Sequence, residues 1–128
     1  MMEAQTGLAL AIVAILLCKH MIFDFVLQTR YQLDHKQLYG HPGGLLHAGL
    51  HALGTLPAIV IARPSLIVAV AVLVGEFVVH YHVDWGKEQL LRRSGWTRDG
   101  ARYWAVFGAD QLIHNLGYLV MTAVLVSR

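Results

Sequence analysis

Four stretches of this chain are mainly apolar and of helical length, about 7–29, 45–62, 65–91 and 102–126. A helix that crosses a bilayer needs about 20 mostly apolar residues, within about 17–25, and all four roughly qualify. Turn residues separate them: Gly40, His41, Pro42, Gly43 and Gly44 after the first, Arg63 and Pro64 after the second, Ser94, Gly95 and Gly100 after the third. Pro57 falls inside the second stretch, where it is expected to kink the helix. The pattern predicts an all-α fold, a four-helix transmembrane bundle forming a single integral membrane domain over 1–128. A soluble bundle with over-long core helices is the alternative reading.

Polar residues interrupt the apolar stretches at a regular interval. In HMIFDFVLQ they are His20, Asp24 and Gln28. The second stretch carries His47 and His51, the third His80 and Asp84 with Glu76 one turn earlier, the fourth Asp110 and His114. Residues four apart share a helix face, so each helix presents one polar pair on one stripe. The pairs lie toward the C-terminal ends of the first and third helices and the N-terminal ends of the second and fourth. In an up-down-up-down bundle these ends coincide, and the eight groups fall in one layer. The pairs also repeat. A shift of 60 positions carries His20 and Asp24 onto His80 and Asp84, and a shift of 63 carries His47 and His51 onto Asp110 and His114. The chain reads as two tandem helical hairpins related by a pseudo-two-fold axis along the membrane normal.

Composition bears on the solvent. The 128 residues are 56% apolar and 14% charged, against about 25% charged in soluble domains, and mean hydropathy is +0.52. A net charge of +2 offers no basic field for nucleic acid. Cys18, the single cysteine, cannot form an internal disulfide and reads as a small buried hydrophobe. The opening MMEAQTG lacks the basic flank of a signal peptide, so the first stretch is expected to be retained. Arg30, Lys36, Arg92, Arg93, Arg98 and Arg102 fall in or beside the first and third connections, and Arg63 and Arg128 on the other side. This asymmetry predicts cytoplasmic first and third loops and both termini outside.

Ionisable groups within a bilayer are costly and mark function by default. Imidazole mixed with carboxylate suits Zn, with Mn or Fe as alternatives. His20, Asp24, His47, His51, His80, Asp84, Asp110 and His114 are therefore candidate ligands for one or two divalent ions, any surplus carboxylates orienting the imidazoles. Asp24 or Asp84 is the candidate catalytic base, Glu76 a less favoured one. Gln28, Arg30, Lys36, Lys87 and Gln111 lie toward the same end and are candidates for holding a phosphate-containing substrate. The cations among them also fit positive-inside topology and snorkelling. Three other readings stay open for the polar layer: a hydrogen-bonded network that specifies bundle packing, a seam that conducts metal ions or protons, and haem ligation by two histidines.

Taken together, His20-x-x-x-Asp24-Phe25-x-x-Gln28-Thr29, Lys36, the paired His47 and His51, His80-x-x-x-Asp84-x-x-Lys87 and Asp110-Gln111-x-x-His114 resemble a family of small bacterial and phage membrane proteins known as domain of unknown function 3307. The resemblance spans nearly the whole chain. It implies a multi-pass protein of the bacterial inner membrane, in contact with lipid, and names no activity. More distantly, the pattern is similar to membrane-bound metal-dependent hydrolases and to the helical zinc phospholipase C and P1-type nuclease group. That group places His-x-x-x-Asp and His-x-x-x-Glu pairs around a metal cluster; its N-terminal amine ligand has no counterpart here. The expected function is metal-dependent hydrolysis of a lipid or lipid-linked phosphoester at the cytoplasmic side. The alternatives are a metal-ion or proton transporter and a non-enzymatic bundle.

Overall fold

A computed structural model describes residues 1–127, and every regular element among them is helical. Helix α1 covers Met2–Met21 and passes directly into a π-helical turn, Ile22–Val26. Helix α2 (Arg30–His35) is a single short segment. Helices α3 (Pro42–Gly54) and α4 (Leu56–Ala62) together make the second crossing, α5 (Leu66–Ser94) the third and α6 (Ala101–Val126) the fourth. Four segments are long and apolar enough to cross a membrane: Met2–Val26, Pro42–Ala62, Leu66–Ser94 and Ala101–Val126. The third runs on to Ser94, past Leu91, because Gly95 closes it in the left-handed conformation at φ 64° and its N–H bonds the Arg92 carbonyl.

The crossings form a closed ring: α3 packs on α5, α5 on α6, α6 on α1, and α1 on α4. The half of the bundle holding both termini is filled by Ile12, Leu16, Ala58, Ala62, Val72, Tyr118 and Leu125. Outside, Leu10, Val60, Ile67, Val70, Leu119 and Val120 are exposed, the arrangement suited to a hydrocarbon solvent. Cys18 belongs to this outer surface. Its expected burial is thus corrected: it lies on the flank of α1 that turns away from the ring.

Pro57 interrupts the second crossing where the sequence predicts a disturbance, at the single αR residue Thr55. Pro57 has no N–H and its ring crowds the carbonyl four residues back. Helix α3 therefore ends at Gly54, and the Thr55 N–H turns to the Ala52 carbonyl at 3.1 Å. The His51 carbonyl, which Thr55 would otherwise serve, is left for other donors.

The first connection is built as a cover. Thr29 caps α2 through a reciprocal pair of bonds with Gln32, each 3.3 Å. Helix α2 then lies against the start of α3, where Gly43 and Gly44 admit it. A Cβ at Gly43 would come within 2.9 Å of the Tyr31 carbonyl, and one at Gly44 within 3.3 Å of Lys36 Cα. This close approach holds Lys36, just past α2, over the open end of the bundle.

Candidate metal centre

The π-helical turn presents Asp24. Its i→i+5 bond, Leu27 N–H to the Ile22 carbonyl at 2.8 Å, widens α1 where it leaves the ring, a common distortion at functional sites. Asp24 Oδ1 then lies 2.9 Å from His51 Nε2, 3.1 Å from His47 Nε2 and 4.0 Å from His80 Nε2. His47 Nε2 and His80 Nε2 are 3.3 Å apart. Ligands about 2.0–2.1 Å from a zinc ion lie about 3.3 Å from one another on a tetrahedron. One carboxylate oxygen and three ring nitrogens from three different helices thus enclose a space close to that size.

A second group adjoins it. Asp84 Oδ1 is 3.2 Å from His114 Nε2, and Asp84 Oδ2 is 3.9 Å from His80 Nε2 and 3.2 Å from His47 Nε2. Asp24, His47, His51 and His80 make one set able to hold an ion and His80, Asp84 and His114 another, so His80 is common to both.

His20 and Asp110 occupy the same buried layer but stand behind these groups. His20 Nδ1 is 2.9 Å from the Tyr118 hydroxyl, and its Nε2 is 2.9 Å from Gln111 Oε1 and 3.3 Å from Asp24 Oδ2. Asp110 faces His114 at 3.4 Å and Lys87 at 3.5 Å. Both are placed to orient the inner groups.

Gln28, Arg30, Lys36, Lys87 and Gln111 all line one cavity of about 660 Å³ at the loop end. Asp24 is also on its wall, so the cavity reaches the His/Asp layer. Lys36 and Lys87 are buried there as ion pairs, Lys36 with Asp84 at 3.2 Å and Lys87 with Asp110. Arg30 and Arg98 line the cavity and are exposed. Gln28 Nε2 is 3.1 Å from His47 Nδ1. His35, His41 and His82 stay outside the layer. His35 stacks on His41 with ring centroids 4.2 Å apart, and His82 faces Tyr39 at 3.1 Å.

Glu76 is not at the cavity. It lies one layer deeper, paired with Lys19 and accepting a hydrogen bond from the Thr55 hydroxyl. Lys19 Nζ also donates to the freed His51 carbonyl at 2.8 Å and sits 4.8 Å from the Tyr118 ring centroid. Sequence reasoning missed Lys19, Thr55 and Tyr118. Lys19 had a signal: a buried carboxylate needs a partner, and Lys19 is the cation of the first apolar stretch, next to His20 as Glu76 is one turn from His80.

No curated protein and no solved structure matches this chain. A family model described as "Protein of unknown function (DUF3307)" matches residues 12–128, and the chain belongs to that family.

Proposed function

We propose that this protein is a metal-dependent hydrolase embedded in the bacterial inner membrane, cleaving a phosphoester of a lipid or lipid-linked molecule at the loop end of the bundle. The excess of Lys and Arg at that end supports a cytoplasmic placement for it. The observation that carries the reading is the crowding of Nε2 atoms of His47, His51 and His80 around Asp24 Oδ1, beside a cationic cavity. A hydrogen-bonded network distributes donors among acceptors. Here His51 and His47 both face Asp24 Oδ1, His47 also faces Asp84 Oδ2, and His47 Nε2 and His80 Nε2 point at one another 3.3 Å apart. A central cation suits that convergence better than shared protons do.

The donor set favours Zn, with Mn or Fe as alternatives, and one or two ions. Asp24, His47, His51 and His80 would hold such an ion, which would supply acidification of a water and polarisation of a phosphoryl oxygen. In hydrolysis the water oxygen bonds to phosphorus, its proton passes to whichever of Asp24 and Asp84 is not holding the ion, and the ester P–O bond breaks. The leaving alcohol oxygen then takes up a proton. Arg30 and Arg98 meet the phosphate, with Gln28 and Gln111 at the cavity wall. The packed apolar half beyond Lys19 and Glu76 disfavours conduction through the bundle.

The test is metal analysis of detergent-purified protein with phosphate-release assays on an aryl phosphate and on phosphatidic acid. One or two equivalents of metal, loss of most of it in His80→Ala, and metal-dependent phosphate release are expected. Metal-free protein whose composition His80→Ala leaves unchanged would overturn the proposal.

A further inference from the structure

The seam between α5 and α6 carries a second concavity, of about 450 Å³, deeper in the membrane than the cationic cavity. Its walls are apolar, with Val79, Ile113 and Val120 exposed on them, so it is continuous with the surface that faces lipid. Its floor is not apolar. Glu76, His80 and His114 reach it, and His80, only 1% exposed, has no partner for Nδ1.

Two helix-interior glycines form part of the wall, Gly75 and Gly117. Neither has a positive φ, and a Cβ at either would meet nothing within 4 Å. Backbone conformation does not require glycine there. Nor does close helix packing, the usual reason for glycine in membrane helices. Each costs about 0.5–1 kcal/mol relative to Ala in a helix interior. What their missing side chains supply is open space along the seam.

The order of chemistry along α5 and α6, from the cationic cavity past the His/Asp layer to the groove, is that of a membrane lipid. On α5, Lys87 lies at the cationic cavity, Asp84 and His80 in the His/Asp layer, and Glu76, Gly75 and Ala71 along the groove. On α6, Tyr103 and Phe107 give way to Asp110 and His114 and then to Gly117 and Val124. From His80 to Ala71 the groove follows about 14 Å of helix, at about 1.5 Å per residue. A charged head at the membrane surface, a phosphoester at the His/Asp layer and a hydrocarbon chain below it match these three zones in sequence.

We infer that the α5–α6 groove binds the hydrocarbon chain of a lipid whose phosphorylated head occupies the cationic cavity. This rests on the phosphoester reading for the head and adds a separate site for the chain. It assigns Gly75, Gly117 and Val120 to recognition of the substrate's tail, and it sets membrane lipids apart from soluble phosphoesters.

The experiment uses the full chain in detergent–phospholipid micelles with a phosphatidic acid bearing a diazirine on its acyl chain. Crosslinks mapped by mass spectrometry should concentrate on α5 and α6 at groove positions. Gly117→Leu, and separately Gly75→Leu, should reduce that labelling at least fivefold and keep the wild-type metal content. If the wild type hydrolyses phosphatidic acid, the same variants should raise its KM severalfold and leave turnover of an aryl phosphate unchanged. Labelling spread evenly over the outer surface, or equal in wild type and both variants, overturns the inference. So does a crosslink from one copy's α5–α6 seam to a second copy. The labelling arm needs no catalysis and so fails separately from the hydrolase reading, whose failure shows in metal content and aryl phosphate turnover.

Discussion

Replacing Lys19 by Met should destabilise the bundle more than an ordinary single substitution. The Lys19 and Glu76 side chains are 6% and 3% exposed, so water screens their pair very little. Removing one member of a buried pair strands the other charge, at a cost of about 3–5 kcal/mol. The Thr55 hydroxyl still serves Glu76, which places Lys19→Met toward the lower end. At about 1.4 kcal/mol per factor of ten, the unfolding constant should rise at least a hundredfold. Adding Glu76→Gln removes the stranded charge and keeps an acceptor for Thr55, so the double variant should recover most of the loss. These residues touch one another, so the cycle should show clear non-additivity.

The assay is reversible unfolding in mixed micelles, followed by circular dichroism against the mole fraction of denaturing detergent. Metal content is measured in parallel. Lys19 Nζ donates to the His51 carbonyl where Pro57 has broken the helix, so Lys19→Met should also loosen the segment carrying His51 and lower metal retention. A Lys19→Met protein within about 1 kcal/mol of wild type, or a double variant no more stable than the single one, would refute the buried-pair reasoning.

Gly54→Ala should destabilise by about 1–3 kcal/mol, seen as an earlier unfolding midpoint, because the new methyl would come within 2.5 Å of the Phe23 ring and 3.2 Å of Lys19 Cδ. Tyr118→Phe removes the hydroxyl 2.9 Å from His20 Nδ1 and should cost about 1 kcal/mol of stability with metal content retained. Cys18→Ala should leave the unfolding midpoint within about 0.5 kcal/mol of wild type. In intact vesicles Cys18 should react with a membrane-soluble maleimide and resist a charged one, as its exposed place on α1 requires.

The fold was legible because its solvent leaves a coarse mark. Four long apolar stretches separated by Gly and Pro allow few architectures, and His-x-x-x-Asp and His-x-x-x-His spacings put polar pairs on one stripe whatever the details of packing. Periodicity does not report rotation about the helix axis or local changes of pitch. It therefore does not distinguish His80, whose ring lies between the two ligand groups, from His20, which turns to Tyr118 and Gln111. The π-helical turn at Ile22–Val26 has no marker of its own in FDF. The interruption at Thr55 is marked by Pro57, but periodicity does not show that Lys19 takes up the His51 carbonyl there. Cys18 fails for a related reason: in a membrane helix an apolar position faces lipid as readily as core, so hydropathy alone does not assign it a side.

The tandem repeat persists in sequence position while its halves take different roles, and the difference has a physical basis. Two equivalent halves would set His20 opposite His80 and Asp24 opposite Asp84 about an axis. Instead α1 opens into a π-helical turn at Asp24, while α5 passes through Asp84 as regular helix. The layer beneath is asymmetric too. A shift of 60 carries Lys19 onto Val79 and Leu16 onto Glu76, so the ion pair joins positions that the repeat does not relate. One Lys19–Glu76 pair thus gives the two hairpins different interiors. Within that asymmetric interior His20, still buried, turns to Tyr118 and Gln111, His80 is common to both candidate ligand groups, and an exposed Val79 lies on the α5 flank of the groove where α1 carries the buried Lys19. An apolar groove beside the His/Asp layer therefore belongs to the α5–α6 seam and has no counterpart at the repeat-related position on α1.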